Sequence, residues 1–122
     1  MITRVIIVLL LFISCKDATS QNGYKITDFD VENENVILID VRTPKEFAEG
    51  HLSGAENINI YDEDFKDRCA KFDKQETIYV YCRSGSRSAK AQHILQAIGF
   101  TNVINLEGGF LSWEVAKKPI AH

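Results

Sequence analysis

Two short apolar runs constrain this chain more than any other feature. Val36-Ile37-Leu38-Ile39 ends at Asp40, and Thr77-Ile78-Tyr79-Val80-Tyr81 ends at Cys82. The first is aliphatic at every position. As a strand it needs apolar cover on both faces, the condition of a parallel sheet wrapped by helices. The second is rich in β-formers. A helix signal follows each run. After the first, Thr43 is a good N-cap, Pro44 fits the first helical position, Glu46 completes a capping box and Gly50 ends the helix. After the second, Arg87–Ile98 predicts a helix with Ala91, Ile94, Leu95 and Ile98 as its apolar stripe, and Gly99 sits at its C-terminal cap. Further strands are expected at Ala55–Ile60 and Val103–Leu106, with Tyr24–Ile26 a candidate first strand. Tyr61–Phe72 predicts another helix, in which Phe65, Cys69 and Phe72 share one face. Strands and helices alternate throughout. The expectation is one α/β domain over residues 24–119, with a central, mainly parallel sheet and helices on both faces.

Composition agrees and removes several classes. The chain has 122 residues, room for one ordinary domain. At 45% hydrophobic and 25% charged it has the mix of a globular protein. The formal net charge is −3 and the basic residues are scattered, which argues against a nucleic-acid partner. Three widely spaced cysteines cannot staple a miniprotein, and no Cys/His cluster has zinc-ligand spacing, so no metal site is expected.

The N-terminus reads differently. Arg4 precedes the unbroken apolar run Val5–Ile13. That run is far short of the ~20 residues a membrane-spanning helix needs. A basic start with a short apolar core is the pattern of an export signal, expected here over residues 1–14. Phe12-Ile13-Ser14-Cys15 resembles the lipobox of bacterial lipoproteins, with Phe12 departing from the usual leucine. That resemblance implies acylation of Cys15 and attachment to a membrane by lipid alone. Residues 15–23 would then be a tether, and the protein would be exported, periplasmic or in the cell envelope. Ordinary cleavage after Ser20, with Ala18 and Ser20 as the small pair, is the competing reading.

Chemistry concentrates at Cys82-Arg83-Ser84-Gly85-Ser86-Arg87, between a strand end and a helix start. In open parallel sheets ligands bind beyond the carboxyl ends of the strands. A thiol at a helix N-terminus, beside two arginines, is drawn toward the nucleophilic thiolate. Small residues at 84–86 let successive backbone N–H groups turn inward around an anion. Arg83 and Arg87 add forked donors. The segment therefore reads as a site where sulfur attacks an anionic substrate.

Cys82–Ser88 (CRSGSRS) closely resembles the active-site loop of rhodanese-type sulfurtransferases. Asp40-Val41-Arg42, Glu46-Phe47, Gly50-His51-Leu52 and Gly54-Ala55 resemble that family's N-terminal signature, and Glu107-Gly108-Gly109 with Trp113 its C-terminal one. Related cell-cycle phosphatases place five residues between cysteine and arginine. Four lie between Cys82 and Arg87 here, and Ser88 stands at the later position. The resemblance implies a rhodanese-like fold and a thiosulfate sulfurtransferase with a persulfide on Cys82. It implies a thiosulfate-like donor, a thiol or cyanide acceptor, no cofactor, and a monomer or dimer. Arg83, Ser84, Gly85, Ser86 and Arg87 would bind the substrate, with Arg87 orienting loop and donor and Arg83 at the entrance. A persulfide carrier or interaction module with little turnover is the alternative.

The other conspicuous residues read as structural. Cys69 lies on an apolar helix face, and Phe110 and Trp113 suit a core. Asp40, Arg42 and Glu46 are expected to support the fold, as is His51. His93 and His122 have no partner visible in sequence.

Overall fold

The structure, a computed structural model, describes residues 23–122. The apolar run at 5–13, Cys15 and the expected tether up to residue 22 lie outside the described residues.

Five strands form one sheet in the order β1-β5-β4-β2-β3, with every pairing parallel. The strands are β1 Tyr24–Lys25, β2 Ile37–Asp40, β3 Glu56–Asn57, β4 Thr77–Tyr81 and β5 Asn102–Glu107. The helices are α1 Pro44–Glu49, α2 Phe65–Cys69, α3 Ser86–Ala97 and α4 Gly109–Val115, and a single three-ten turn covers Ile26–Asp28. In register, Ile39 faces Val80 and Asp40 faces Tyr81 across β2–β4, and Ile78 faces Val103 across β4–β5.

The apolar runs are buried on both faces because strand residues alternate between two cores. Ile39, Val41, Ile78, Val80, Cys82 and Val103 point to one face. There they meet Phe65 and Cys69 of α2 and Ala91 and Leu95 of α3. Leu38, Tyr81 and Leu106 point to the other, against Ile26, Phe29, Leu52, Phe110 and Trp113. The expected α/β sheet with cover on both faces is thus the observed architecture.

Local signals shape the elements with some differences. Thr43 Oγ1 accepts from Glu46 N at 3.3 Å and Thr43 N donates to Glu46 Oε1 at 3.4 Å, the reciprocal capping box of α1. The helix expected over 61–72 is only the five residues of α2. Asn59 Oδ1 accepts from Tyr61 N at 3.1 Å, and that turn delays the helix to Phe65. The Phe65–Cys69 pair is still buried. The strand expected over 55–60 pairs regularly only at Glu56–Asn57, although Ile58 N and Ile60 N still donate to Asp40 O and Val41 O. The helix α4 is an addition. Its N-cap is Gly108, at φ 87 and with no side-chain cap, so its start carries no capping signal in sequence. The chain past α4 stays attached: Trp113 Nε1 donates to Pro119 O at 2.8 Å, and Ala121 bridges to His51.

Candidate active site

Cys82 leaves the carboxyl end of β4, and α3 begins four residues later at Ser86. The thiol is nearly fully buried on the α3 side of the sheet. Gly85, the N-cap of α3, has φ 106, and that left-handed turn brings its N–H back to Cys82 Sγ at 3.1 Å. Ser88 Oγ, also buried, lies 3.3 Å from the same sulfur. Burial pushes the Cys82 thiol up. Hydrogen bonds from the Ser88 hydroxyl and amide and from the Gly85 and Ser84 amides outweigh it, so the balance moves down, toward thiolate. The sulfur therefore sits in a ring of donors at a helix N-terminus.

The second wall of the loop comes from α4. Phe110 N donates to Cys82 O at 2.8 Å and Leu111 N to Arg83 O at 3.0 Å. This approach needs Gly109: at φ 61, a Cβ there would lie 2.4 Å from Arg83 O and 2.6 Å from Cys82 O. The residues of the C-terminal signature thus bind the back of the cysteine loop.

The two loop arginines differ. Arg87 Nη1 and Nη2 donate to Glu46 Oε1 and Oε2 at 2.7 and 2.9 Å, a forked pair that ties α3 to α1. The Arg87 hydrogen bonds hold the Glu46 carboxyl down at about 2, and Glu46 in turn raises Arg87. Arg83 is exposed, as are Ser84 and Ser86, and among the described residues Arg83 makes no ion pair.

Asp40 and Arg42 stand at the end of β2, both buried. Arg42 Nε and Nη2 grip the Asp40 carboxylate at 2.7–3.0 Å, and Nη2 also donates to Gly50 O at 2.7 Å. The guanidinium lies 4.3 Å from the Phe110 ring centre. Asn57 Nδ2 bonds both Asp40 O and Arg42 O. This network joins β2, β3, α1 and α4, and none of its hydrogen bonds reaches the sulfur. His51 stacks on Phe47 at 3.7 Å, and its Nδ1 lies 2.9 Å from Phe47 O. Cys69 sits on α2, its thiol pushed up to about 11 by burial.

Two residues that contact the cysteine loop carry no role in the sequence reading. Ser88 is quoted in the motif only as the place of a displaced arginine. Asn105 donates from Nδ2 to Gly85 O at 3.3 Å. Its signal was a polar residue two positions beyond Val103, on the same face of a short apolar strand.

Comparison with known proteins agrees with this geometry. The rhodanese-like domain family model matches residues 29–116. A sulfurtransferase of Allochromatium vinosum is 35% identical over 89 residues, 73% of this chain and 81% of that protein. Thiosulfate sulfurtransferase PspE of Escherichia coli is 40% identical over 72 residues, 57% of this chain and 67% of that protein. The crystal structure of a rhodanese-related protein from Thermoplasma volcanium has a TM-score of 0.70 at 26% identity, covering 81% of this chain and 96% of that one. With its parallel sheet, its cysteine loop and these relatives, the chain belongs to the rhodanese-like domain family.

Proposed function

We propose that this protein is a sulfurtransferase that carries sulfane sulfur on Cys82, taking it from thiosulfate or a related anionic donor. The carrying observation is the ring of donors around Cys82 Sγ, which favours thiolate in a buried position. The thiolate attacks the outer sulfur of the donor. A sulfur–sulfur bond forms, the bond to the sulfonate sulfur breaks, and sulfite leaves with the electron pair. The negative charge on the new persulfide is held by the same amides and by the α3 dipole. An acceptor then attacks the outer sulfur: cyanide yields thiocyanate, a thiol yields a new persulfide, and the Cys82 thiolate returns. Ser84, Gly85 and Ser86 frame the anion. Exposed Arg83 meets the incoming donor. Arg87 serves through its clamp on Glu46, holding α3 and the loop in register.

Thiosulfate:cyanide transfer by purified Ala18–His122, beside Cys82→Ser, tests this. Thiocyanate from the parent and none from the variant is the expected result. A folded parent that gains one sulfur atom in intact mass but turns over no cyanide would instead be a dedicated persulfide carrier. A parent that neither turns over nor gains sulfur would refute the reading.

For the N-terminus we propose export and acylation of Cys15, from its lipobox-like sequence at the end of a nine-residue apolar run. Cells expressing the full chain should incorporate a labelled fatty acid into it, and Cys15→Ser should abolish the label. Unlabelled, soluble protein beginning after Ser20 would establish ordinary cleavage instead.

A further inference from the structure

The Gly85 carbonyl at the base of the cysteine loop has more donors than it can use. Ala89 N donates to it at 3.0 Å, closing the first turn of α3. Asn105 Nδ2 reaches it from β5 at 3.3 Å, and Ser88 Oγ lies 3.1 Å away. A carbonyl oxygen offers two lone pairs, so these three donors compete for two places. The Ser88 hydroxyl has one hydrogen and a second acceptor at hand, Cys82 Sγ at 3.3 Å. Ser88 is fully buried, so no solvent competes for that hydrogen.

We infer that Ser88 and Asn105 act together as a positioning pair: Asn105 holds the Gly85 carbonyl so that the Ser88 hydroxyl hydrogen goes to Cys82 Sγ. Neither residue touches the donor, and the pair acts only through the sulfur. The inference rests on the reading of Cys82 as the working thiolate and adds what selects its charge state. When Cys82 is a thiol, its own S–H can donate to Ser88 Oγ, and the sulfur no longer depends on the Ser88 hydrogen. When Cys82 carries a sulfane sulfur, the negative charge moves one atom outward and the bond at Sγ weakens. The pair therefore favours the free thiolate over the loaded enzyme. It speeds sulfur release and limits how much persulfide accumulates.

The charged and titratable groups around the loop are Arg83 within it, Arg87 on α3, Glu46 on α1 and Tyr61, both acting on Arg87, and the Asp40–Arg42 pair at the end of β2. The two variants below change none of them. A hydrogen bond to a charged group shifts an acid equilibrium by roughly tenfold, about one pH unit.

The test is the pH dependence of Cys82 alkylation by iodoacetamide, followed by peptide mass spectrometry with no sulfur donor present. Ser88→Ala should raise the midpoint by about one unit, and Ser88→Thr should restore it. Asn105→Ala should raise it while Ser88 is present, because Gly85 then recaptures the hydroxyl hydrogen. It should add nothing in Ser88→Ala. Additive shifts, or an unchanged midpoint in folded Ser88→Ala, would overturn the pair. If Ser88→Ala does not fold, Asn105→Ala alone decides, and an unmoved midpoint refutes the inference. The readout needs no turnover, so failure here and failure of sulfur transfer are separate results. If both stand, the thiosulfate-loaded fraction at steady state should rise in both variants.

Discussion

Gly109 sets the distance between α4 and the cysteine loop, and replacing it should cost much more than replacing another left-handed glycine. A residue with a Cβ in that conformation costs roughly 1–2 kcal/mol. At Gly85, φ 106, nothing lies within 4 Å of the added carbon, so Gly85→Ala should cost only that strain. At Gly109 the carbon would be 2.4 Å from Arg83 O, a backbone atom that cannot step aside alone. The start of α4 must therefore withdraw. That breaks Phe110 N to Cys82 O and Leu111 N to Arg83 O, each worth about 1 kcal/mol. The expected loss for Gly109→Ala is about 3–4 kcal/mol, a large share of the roughly 5–15 kcal/mol that holds a domain. Urea unfolding of the two variants and the parent gives both numbers. The loop should also loosen, so alkylation of Cys82 should accelerate in native buffer. Gly109→Ala within about 1 kcal/mol of Gly85→Ala would refute the idea that α4 is clamped to the loop backbone.

Other consequences follow from the charged pairs and the buried thiol. The Glu46 carboxyl is held at about 2, below its ordinary 4.5, so its stabilising pairing with Arg87 is fully present above 4.5 and lost as pH falls toward 2. Glu46→Gln should flatten unfolding free energy across that window, and an unchanged acid limb would remove the clamp. Arg42→Ala leaves Asp40 buried and unpaired and should cost about 3–5 kcal/mol, with Arg42→Lys recovering only part because it cannot fork. Thermal melts that place the alanine variant near the parent would contradict this. Cys69, fully buried and raised to about 11, should stay unmodified at pH 8 while Cys82 reacts, and equal labelling of both peptides would overturn that assignment.

What could be read from the sequence was what neighbours along the chain enforce. The apolar runs at 36–39 and 77–81, the Thr43–Glu46 capping box and the Cys82–Arg87 loop before a helix depend on contacts within a few residues. The short reach of α2 was less legible, because Asn59 competes for the backbone with a turn that periodicity does not register. The helix α4 starts at two glycines with no side-chain cap, so its entry left no capping signal to read. The partners in the site belong to the tertiary structure. Arg87 meets Glu46 across 41 positions, and Asn105 reaches Gly85 across 20. Gly109 meets the carbonyls of Cys82 and Arg83. These meetings follow from the strand order β1-β5-β4-β2-β3, which sets β5 beside β4 and brings α1, α3 and α4 around one strand end. The sequence by itself determined that a cysteine stands between a strand end and a helix N-terminus. Only the folded sheet decided which arginine is tied down, which glycine lets α4 approach, and which strand residue reaches the Gly85 carbonyl, because each depends on groups that adjoin in space and not along the chain.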